Sequence, residues 1–256
     1  MRSLDIAGSG MLAQQTNVEV ISNNIANMTT TGFKRRRAEF QDLIYQDLHR
    51  VGSNSSDTGT IVPSGAQVGL GVKTGAIYRI NEQGNLQQTS NSLDMAIQGS
   101  GYFEVTLPSG DTAYTRDGTF SLSPDGQIVT ADGYPVSPGI TIPANASNVA
   151  INAGGQVQVT IAGHAAPQTV GTLELASFAN EAELDAQGSN LLLASAASGA
   201  PNSPGFGSVM QGFIETSNVN VVSEITNLIT AQRAYEMNSK VITSSNEMLS
   251  TLTNLR

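Results

Sequence analysis

The sequence predicts an α+β fold in which helices from the two ends of the chain pair and the middle is all β. Apolar residues recur with a helical period at both ends, and the period changes to two in between. Glycine contributes 26 of the 256 residues, aromatic residues only 5%, and tryptophan none, a composition that favours turn-rich β-structure over a helical globule. We predict a helical coiled-coil domain at residues 1–30 and 220–256, a connector region at residues 31–75 and 195–219, and a central β domain at residues 76–194.

The N-terminal helix is indicated by a seven-residue repeat over about 40 Å of predicted helix. Residues Thr29 to Thr31 and Gly32 predict its end, because β-branched residues weaken a helix and glycine suits the left-handed position beyond it. The first repeat position is occupied by Leu4, Met11, Val18 and Ile25, and the second by Ala7, Ile21 and Met28.

The C-terminal helix shows the same spacing and is longer, about 55 Å. Asn220 is predicted as its N-cap. Its apolar seam is predicted at Val221, Ile225, Leu228, Tyr235, Ile242, Leu249 and Leu252, interrupted by Gln232, Ser239 and Asn246.

The central region reads as a run of β-hairpins. Residues 101–136 contain short β-branched and aromatic runs separated by PSGD, RDG, SPDG and ADG, and each of these is a turn signal. Further strands are predicted at residues 149–151, 157–161, 170–178 and 190–193. Stretches rich in Gly and Ser at residues 49–71 and 195–207 are predicted to be connectors.

Both terminal helices have polar faces with few charges. Between residues 3 and 28 the only charged residues are Asp5 and Glu19, and the rest of the polar face is largely amides. Amides can be buried when they are hydrogen-bonded, whereas an unpaired buried charge is strongly unfavourable. We therefore expect one face of each helix to be covered by its partner helix and the other by neighbouring copies of the chain. We also expect the ends to be disordered in the free subunit and to fold on docking.

This reasoning predicts a self-assembly interface and a set of connector contacts. The predicted interface consists of Leu4, Met11, Val18, Ile21, Asn23, Asn24, Ile25, Asn27, Ile225, Leu228, Arg233, Tyr235, Ile242, Leu249 and Leu252. The predicted connector contacts are Phe33, Lys34, Arg35, Arg36, Arg37 and Phe40, with the basic side chains near acidic groups of a neighbouring copy.

Composition argues against several other classes of function. The formal net charge is −9, which disfavours nucleic acid as a partner because phosphate contacts require Lys and Arg. There is no cysteine, and the two histidines, His49 and His164, are too far apart to predict a metal site. No catalytic, metal-binding or cofactor-binding residue is predicted. The first ten residues contain no apolar run of a secretory signal, so we expect no cleavable signal peptide, and no run is long enough to insert into a membrane.

Three blocks of the sequence resemble the bacterial flagellar rod and hook protein family. NNIANMTTTGFKRRRAEF, residues 23–40, is similar to the N-terminal signature of the family, and ETSNVNVVSEITNLITAQRAYEMNSKVI, residues 215–242, to its C-terminal signature. LDMAIQGSGYFEV and the following YTRDGTFSLSPDGQIVTADGYPV are similar to the central β region of the rod members. The chain length, QRAYEMNSK and residues 49–65 most resemble the distal part of the rod; the proximal rod is the alternative.

The resemblance implies a structural subunit of a hollow helical drive shaft that crosses the periplasm. It also implies partners: further copies of the chain, proximal rod proteins and the hook protein at the two ends, P- and L-ring proteins around the shaft, and the flagellar export apparatus. A second interpretation, a β-rich extracellular binding module with helical arms, belongs to a different class and predicts monodisperse particles instead of filaments.

Overall fold

The computed structural model describes residues 2–49, 65–162, 166–202 and 207–254. Most of the predicted connector at residues 49–71 and also His164 lie outside the described residues. Helix α1 spans Arg2–Ala26 and helix α2 spans Val221–Asn254. The strands are β1 (Arg36–Asp42), β2 (Tyr45–His49), β3 (Ala66–Gly69), β4 (Val72–Arg79), β5 (Leu86–Gln88), β6 (Met95–Gln98), β7 (Tyr102–Thr106), β8 (Thr112–Thr115), β9 (Ser121–Leu122), β10 (Ile128–Val129), β11 (Ala146–Ile151), β12 (Gln156–Ile161), β13 (Gln168–Thr172), β14 (Leu175–Ala176), β15 (Asp185–Gly188), β16 (Leu191–Leu193), β17 (Ser208–Gln211) and β18 (Phe213–Glu215).

The chain divides into two compact units. Unit 1 comprises Met1–Ile25, Arg36–Tyr78 and Val221–Arg256, and unit 2 comprises Ala26–Arg35 and Arg79–Asn220. The predicted α+β fold, with paired terminal helices and a β-rich middle, is confirmed. The division into three domains stays a prediction.

The described residues of unit 1 form the two helices and four strands. The strands form two separate pairs, β1 with β4 and β2 with β3. The hydroxyl of Tyr78 donates a hydrogen bond of 3.0 Å to Glu39 Oε1, from one strand of the first pair to the other. Two-stranded sheets of this size are marginal by themselves, so they depend on packing against other parts of the protein.

Unit 2 is built around a five-stranded antiparallel sheet with the order β14-β7-β8-β16-β15. A three-stranded sheet of β11, β12 and β13 and the pairs β9–β10, β6–β17 and β5–β18 complete the unit. Side chains of successive strand residues point to opposite faces of a sheet. Phe103 accordingly joins the larger apolar cluster, whereas Tyr102 joins a smaller one with Tyr114 and Phe178, so both faces are covered.

The hairpins predicted at PSGD and SPDG are present because their turns are encoded locally, whereas RDG joins β8 to β9, which lie in different sheets and do not pair with each other. Strands β7 and β8 pair directly across the PSGD turn, where Gly110 has a φ of +91°. Strands β9 and β10 pair across SPDG, where Gly126 has a φ of +79° and donates a hydrogen bond of 2.8 Å to Ser123 O. Left-handed backbone of this kind favours glycine. The strands predicted at residues 149–151, 157–161 and 190–193 correspond to β11, β12 and β16, and the one at 170–178 is divided between β13 and β14.

The ends of both helices agree with the sequence signals. Helix α1 ends at Ala26 and is followed by turns through the threonines to Gly32, whose φ is +69°. Helix α2 begins directly after Asn220. Among the described residues, neither helix combines the length and hydrophobicity needed for a membrane span.

Candidate assembly surface and buried ion cluster

Helices α1 and α2 pair in an antiparallel arrangement with a constant register. Ser3 Oγ lies 3.3 Å from Ser245 Oγ, and Asn24 Nδ2 donates a hydrogen bond of 3.3 Å to Glu224 Oε2. Between these contacts, a Cβ placed on Gly10 would lie 2.7 Å from Nδ2 of Asn238, so the two helices approach closely there. In each of the three pairs the two residue numbers add to 248. The register therefore holds from one end of α1 to the other.

Small and polar residues occupy the positions of closest approach. In α1 these are Ser3, Gly10 and Asn24, and in α2 they are Glu224, Asn238 and Ser245. Ala231 lies at the same heptad position of α2 and is also buried. The first position of the predicted apolar seam is therefore wrong by one residue: Leu4, Met11, Val18 and Ile25 are only half-buried, and Ile225 is exposed. Ala7 and Ile21, predicted at the second position, are buried. A seven-residue pattern indicates a face of the helix, but small residues decide which edge of that face allows the closest contact.

Asn24 explains why amides occupy the end of α1. Its Oδ1 accepts a hydrogen bond of 2.8 Å from the backbone N of Arg36, and its Nδ2 donates one of 2.8 Å to Arg36 O. The same Nδ2 contacts the buried carboxylate of Glu224. One amide thus connects α1, the start of β1 and α2. A charged side chain would satisfy only part of this set, because the site requires both a donor and an acceptor.

The faces of the helices away from the seam expose apolar side chains. In α2, six of them have between 45% and 76% of their surface exposed: Val222, Ile225, Ile229, Met237, Val241 and Met248. Val222, Ile225 and Ile229 are three and four residues apart and therefore share one helix face. Leu12 of α1 is 68% exposed. Clustered exposed apolar residues of this kind are typical of protein interaction sites.

The other residues of the predicted interface differ in burial. Ile21 and Asn24 are buried, Leu228, Ile242, Leu249 and Asn27 are half-buried, and Tyr235, Arg233 and Asn23 are exposed. The side chain of Leu252 lies outside the described residues. Whether these residues contact a neighbouring copy stays a prediction.

Unit 2 contains a fully buried cluster of three charges around Glu215. The carboxylate forms an ion pair with the Lys34 ammonium through Oε1 and with Arg116 Nη1 through Oε2, the latter at 3.1 Å. The backbone N of Gly84 donates a hydrogen bond of 2.9 Å to Oε1. The guanidinium carbon of Arg116 also lies 5.5 Å from the ring centroid of Tyr102, a cation–π contact.

The cluster contains two cations and one anion, so backbone carbonyls take up part of the charge. Lys34 Nζ donates to Glu82 O at 2.8 Å, and Arg116 donates to Ile97 O at 3.1 Å. Burial lowers the pKa of the Lys34 ammonium below its ordinary value of 10.5, and the neighbouring Glu215 carboxylate opposes that shift.

All three sequence blocks that resemble the flagellar family meet at this cluster. Lys34 comes from the first block, Arg116 from the central one and Glu215 from the last. Gly32 of the first block donates its backbone N to Glu215 O at 2.8 Å. A Cβ on Gly32 would lie 2.8 Å from the backbone carbonyl carbon of Arg116, so only glycine fits.

The expectation that Lys34 lies near an acidic group of a neighbouring copy was wrong. Its ammonium is buried against Glu215 of its own chain, 181 residues further along the sequence. Arg35 also pairs within the chain, with Glu82 at 3.3 Å, although at the surface. Arg36 and Arg37 are exposed, Phe33 and Phe40 are half-buried, and their contacts with a neighbour stay a prediction. No local signal identified Glu215 as the partner of Lys34, because nothing in either block specifies so distant a contact.

Comparison with protein families defines the class as rod and hook proteins of the bacterial flagellum. Three family models match: "Flagella basal body rod protein" at residues 4–34, "Flagellar hook protein FlgE/F/G D1 domain" at residues 96–159, and "Flagellar basal body rod FlgEFG protein C-terminal" at residues 210–255.

Curated relatives match over the full length of the chain. The flagellar basal-body rod protein FlgG of Caulobacter vibrioides is 60% identical over 261 residues, which cover 100% of both chains. FlgG of Agrobacterium fabrum is 52% identical, covering 98% of this chain and 97% of its own, and FlgG of Bacillus subtilis is 40% identical, covering 100% and 99%. The chain therefore belongs to the flagellar basal-body rod protein family.

Proposed function

We propose that the chain is a structural subunit of the distal rod of the bacterial flagellar basal body, where it polymerises into a hollow helical shaft that transmits torque from motor to hook. The observation that carries this proposal is the row of exposed apolar side chains on α2, a helix with few charges. Apolar surface of this extent is unfavourable in water and is removed from water by packing against further copies. No chemistry is required, and we propose no enzymatic activity.

The mode of assembly follows from the two different surfaces on each helix pair. Repeated contact between one surface of a copy and a different surface of the next gives an open helical polymer. Full burial of a Val, Ile or Met side chain contributes about 1.5–3 kcal/mol. A few such residues from each copy therefore suffice to stabilise a lateral contact. The residues of the predicted interface that retain exposed surface, including Ile225 and Tyr235, are proposed to take part.

Membership of the flagellar basal-body rod protein family supports a proposal for the remaining partners. We propose contacts with proximal rod proteins and the hook protein at the two ends of the shaft and with P- and L-ring proteins around it. We further propose export by the flagellar apparatus without cleavage. N-terminal sequencing of the protein from isolated basal bodies tests this last point: an intact start at Met1 or Arg2 is expected, whereas a start further along the chain contradicts it.

Electron microscopy of concentrated purified protein tests the assembly. The wild-type chain is expected to form filaments or tubes. Val222→Asp and Ile229→Asp are expected to abolish them, because each places a carboxylate where apolar contact is needed, while Val222→Ile and Ile229→Val keep them. Normal filaments from both aspartate variants, or monodisperse wild-type particles at every concentration tested, contradict the proposal.

A further inference from the structure

Two segments of unit 2 are held by the same buried carboxylate. The N-terminal strap is defined as residues 27–35, which follow α1 in sequence. The C-terminal strap is defined as residues 215–220, which begin with the last residue of β18 and precede α2. Glu215 belongs to the C-terminal strap and Lys34 to the N-terminal strap. The remaining partners of the Glu215 carboxylate, Arg116 and the backbone N of Gly84, belong to the β body, which is defined as residues 79–214 of unit 2.

The two straps bind each other through main-chain as well as side-chain groups. The backbone N of Gly32 donates to Glu215 O at 2.8 Å, and the backbone N of Arg35 donates to Asn218 Oδ1 at 2.7 Å. The backbone N of Asn218 donates in return to Phe33 O at 3.4 Å. Backbone groups of each strap are therefore hydrogen-bonded by groups of the other strap.

Both straps also bind the same short segment of the β body, residues 80–85. Asn218 Nδ2 donates to Ile80 O at 2.9 Å and to Glu82 O at 3.0 Å. Lys34 Nζ donates to Glu82 O at 2.8 Å, and the backbone N of Ile80 donates to Arg35 O at 2.9 Å. The two straps and this segment thus form a single hydrogen-bonded layer.

Release of one strap from the β body without the other is unfavourable for an electrostatic reason. If the C-terminal strap left, Lys34 and Arg116 would remain as two buried cations without their shared carboxylate. If the N-terminal strap left, Glu215 would lose its ammonium partner and Asn218 its bond from Arg35. A buried charge or polar group that loses its partner is costly, whereas release of both straps together returns Lys34, Glu215 and Asn218 to water.

We propose that the Glu215-centred cluster couples the two straps, so that they dock on the β body and leave it as one cooperative unit. The chain segments that continue into α1 and α2 are then fixed or released together. This inference concerns the free subunit and holds whether or not the chain polymerises, so its failure is distinguishable from failure of the proposed function.

Hydrogen exchange of the dilute full-length chain, followed residue by residue, tests the coupling. The variant is Lys34→Met, which keeps much of the side-chain volume and removes the charge. Loss of a charged hydrogen bond is expected to accelerate exchange at Gly32 and Arg35 by roughly tenfold or more. The coupling predicts a matching acceleration at Gly84 and Thr216, which bind Glu215 Oε1 and Asn85 O. Acceleration confined to the N-terminal strap would overturn the proposal.

The matched control is Arg35→Met, which removes a neighbouring charge from the same strap. Its pair with Glu82 lies at the surface, so little change in exchange is expected. Amides of the β7–β8 ladder serve as the reference for the folded β body and are expected to keep their wild-type rates in both variants. Equal acceleration by Arg35→Met and Lys34→Met would remove Lys34 from its proposed role.

Two further variants test the coupling from the other strap. Asn218→Ala is expected to accelerate exchange at Gly32 as well as at Thr216, because coupling between two sites is reciprocal. Glu215→Gln leaves two cations facing a neutral group, so adding Lys34→Met to it is expected to slow exchange at Thr216 compared with Glu215→Gln alone. Faster exchange in the double variant would contradict the electrostatic basis of the coupling.

Discussion

At the scale of single residues, the burial of Tyr102 makes unit 2 sensitive to alkaline pH. Its ring is 1% exposed, and its hydroxyl donates a hydrogen bond of 3.2 Å to Glu181 Oε2. Burial, reinforced by the Glu181 carboxylate, raises the pKa of Tyr102 well above its ordinary value of 10.0. A raised pKa in the folded state means that stability is fully present below the pKa of the unfolded chain and is lost as the pH rises through the folded pKa.

Replacing Tyr102 with phenylalanine is expected to make the free energy of unfolding less dependent on pH above pH 10. At pH 8 the Tyr102→Phe variant is expected to be about 1 kcal/mol less stable, because it lacks the hydrogen bond to Glu181. Above pH 10 the wild-type free energy of unfolding falls further with each step in pH than that of the variant, so the gap narrows. Urea titrations at several pH values, followed by a spectroscopic signal of the β body, measure the free energy of unfolding of both proteins. A gap that widens with pH contradicts the assigned cause.

Gly71 shows how a residue far from the helices in sequence constrains α1. Its φ is +126°, and a Cβ at this position would lie 2.2 Å from Ser9 Oγ. The same Oγ accepts a hydrogen bond of 3.2 Å from the backbone N of Val72. Gly71→Ala is expected to destabilise unit 1 by about 1–3 kcal/mol, whereas Gly71→Ala combined with Ser9→Ala recovers part of the loss. Thermal unfolding of the wild type, Gly71→Ala and the double variant distinguishes a clash with Ser9 from backbone strain at position 71 alone. Ser9→Ala would relieve the clash but not the backbone strain.

At the scale of elements, features encoded by adjacent residues were predictable from the sequence, whereas contacts between distant residues were not. The hairpins β7–β8 and β9–β10 were predictable, because their turn residues are adjacent and a glycine with positive φ specifies each turn. Both helices were predictable from their seven-residue period. The first position of the seam was misplaced by one residue because Ser3, Gly10 and Asn24 allow closer approach than the apolar residues beside them. The partner of Lys34 was predicted wrongly because Glu215 is distant from it in sequence.

The two glycines of α1 provide a test of the seam. Gly8 has no atom within 4 Å of the position where a Cβ would lie, whereas a Cβ on Gly10 meets Asn238. Alanine is favoured over glycine in a helix by about 0.5–1 kcal/mol. Gly8→Ala is therefore expected to increase the helix content seen by circular dichroism. Gly10→Ala is expected to increase it less, since Asn238 must move. An equal or larger gain from Gly10→Ala would contradict the assigned register.

Asn24 tests whether amides position the paired helices. Asn24→Ala removes the bridge between the Arg36 backbone and Glu224 and is expected to destabilise the pair by about 1–3 kcal/mol. Ser22→Ala, at an exposed position of the same helix, is the control and is expected to have little effect. Helix content and thermal unfolding of both variants give the comparison. Equal effects would leave Asn24 without a special role.

At the scale of the whole molecule, charge is distributed unevenly between the two units. Unit 2 contains 4 basic and 12 acidic residues, a net charge of −8, whereas unit 1 contains 8 basic and 9 acidic residues, a net charge of −1. Lys34 and Arg116, two of the four basic residues, are buried with Glu215. In the proposed polymer we expect neighbouring copies to repel each other mainly through unit 2, because unit 1 carries little net charge.

This distribution predicts that salt promotes assembly. Raising the ionic strength screens repulsion between exposed carboxylates and leaves apolar contacts in place. The critical concentration for filament formation is expected to fall between about 0.01 and 0.15 M salt, over which the Debye length shortens from about 30 to 8 Å. Neutralising two exposed carboxylates with Asp125→Asn and Asp132→Asn is expected to make the critical concentration depend less on salt. Sedimentation measures the critical concentration, and assembly weakened by salt would contradict the charge argument.

The central claim is that sister molecules, and not solvent, cover the outer face of α2. The chain contains no cysteine, so a single cysteine introduced by Val222→Cys can be labelled without background. Maleimide labelling is compared in the dilute subunit and in assembled filaments, with Ser109→Cys in the exposed turn between β7 and β8 as the control. We expect position 222 to react readily in the subunit and at least about tenfold more slowly in filaments, while position 109 reacts in both. Equal labelling of position 222 in the two states would contradict the account.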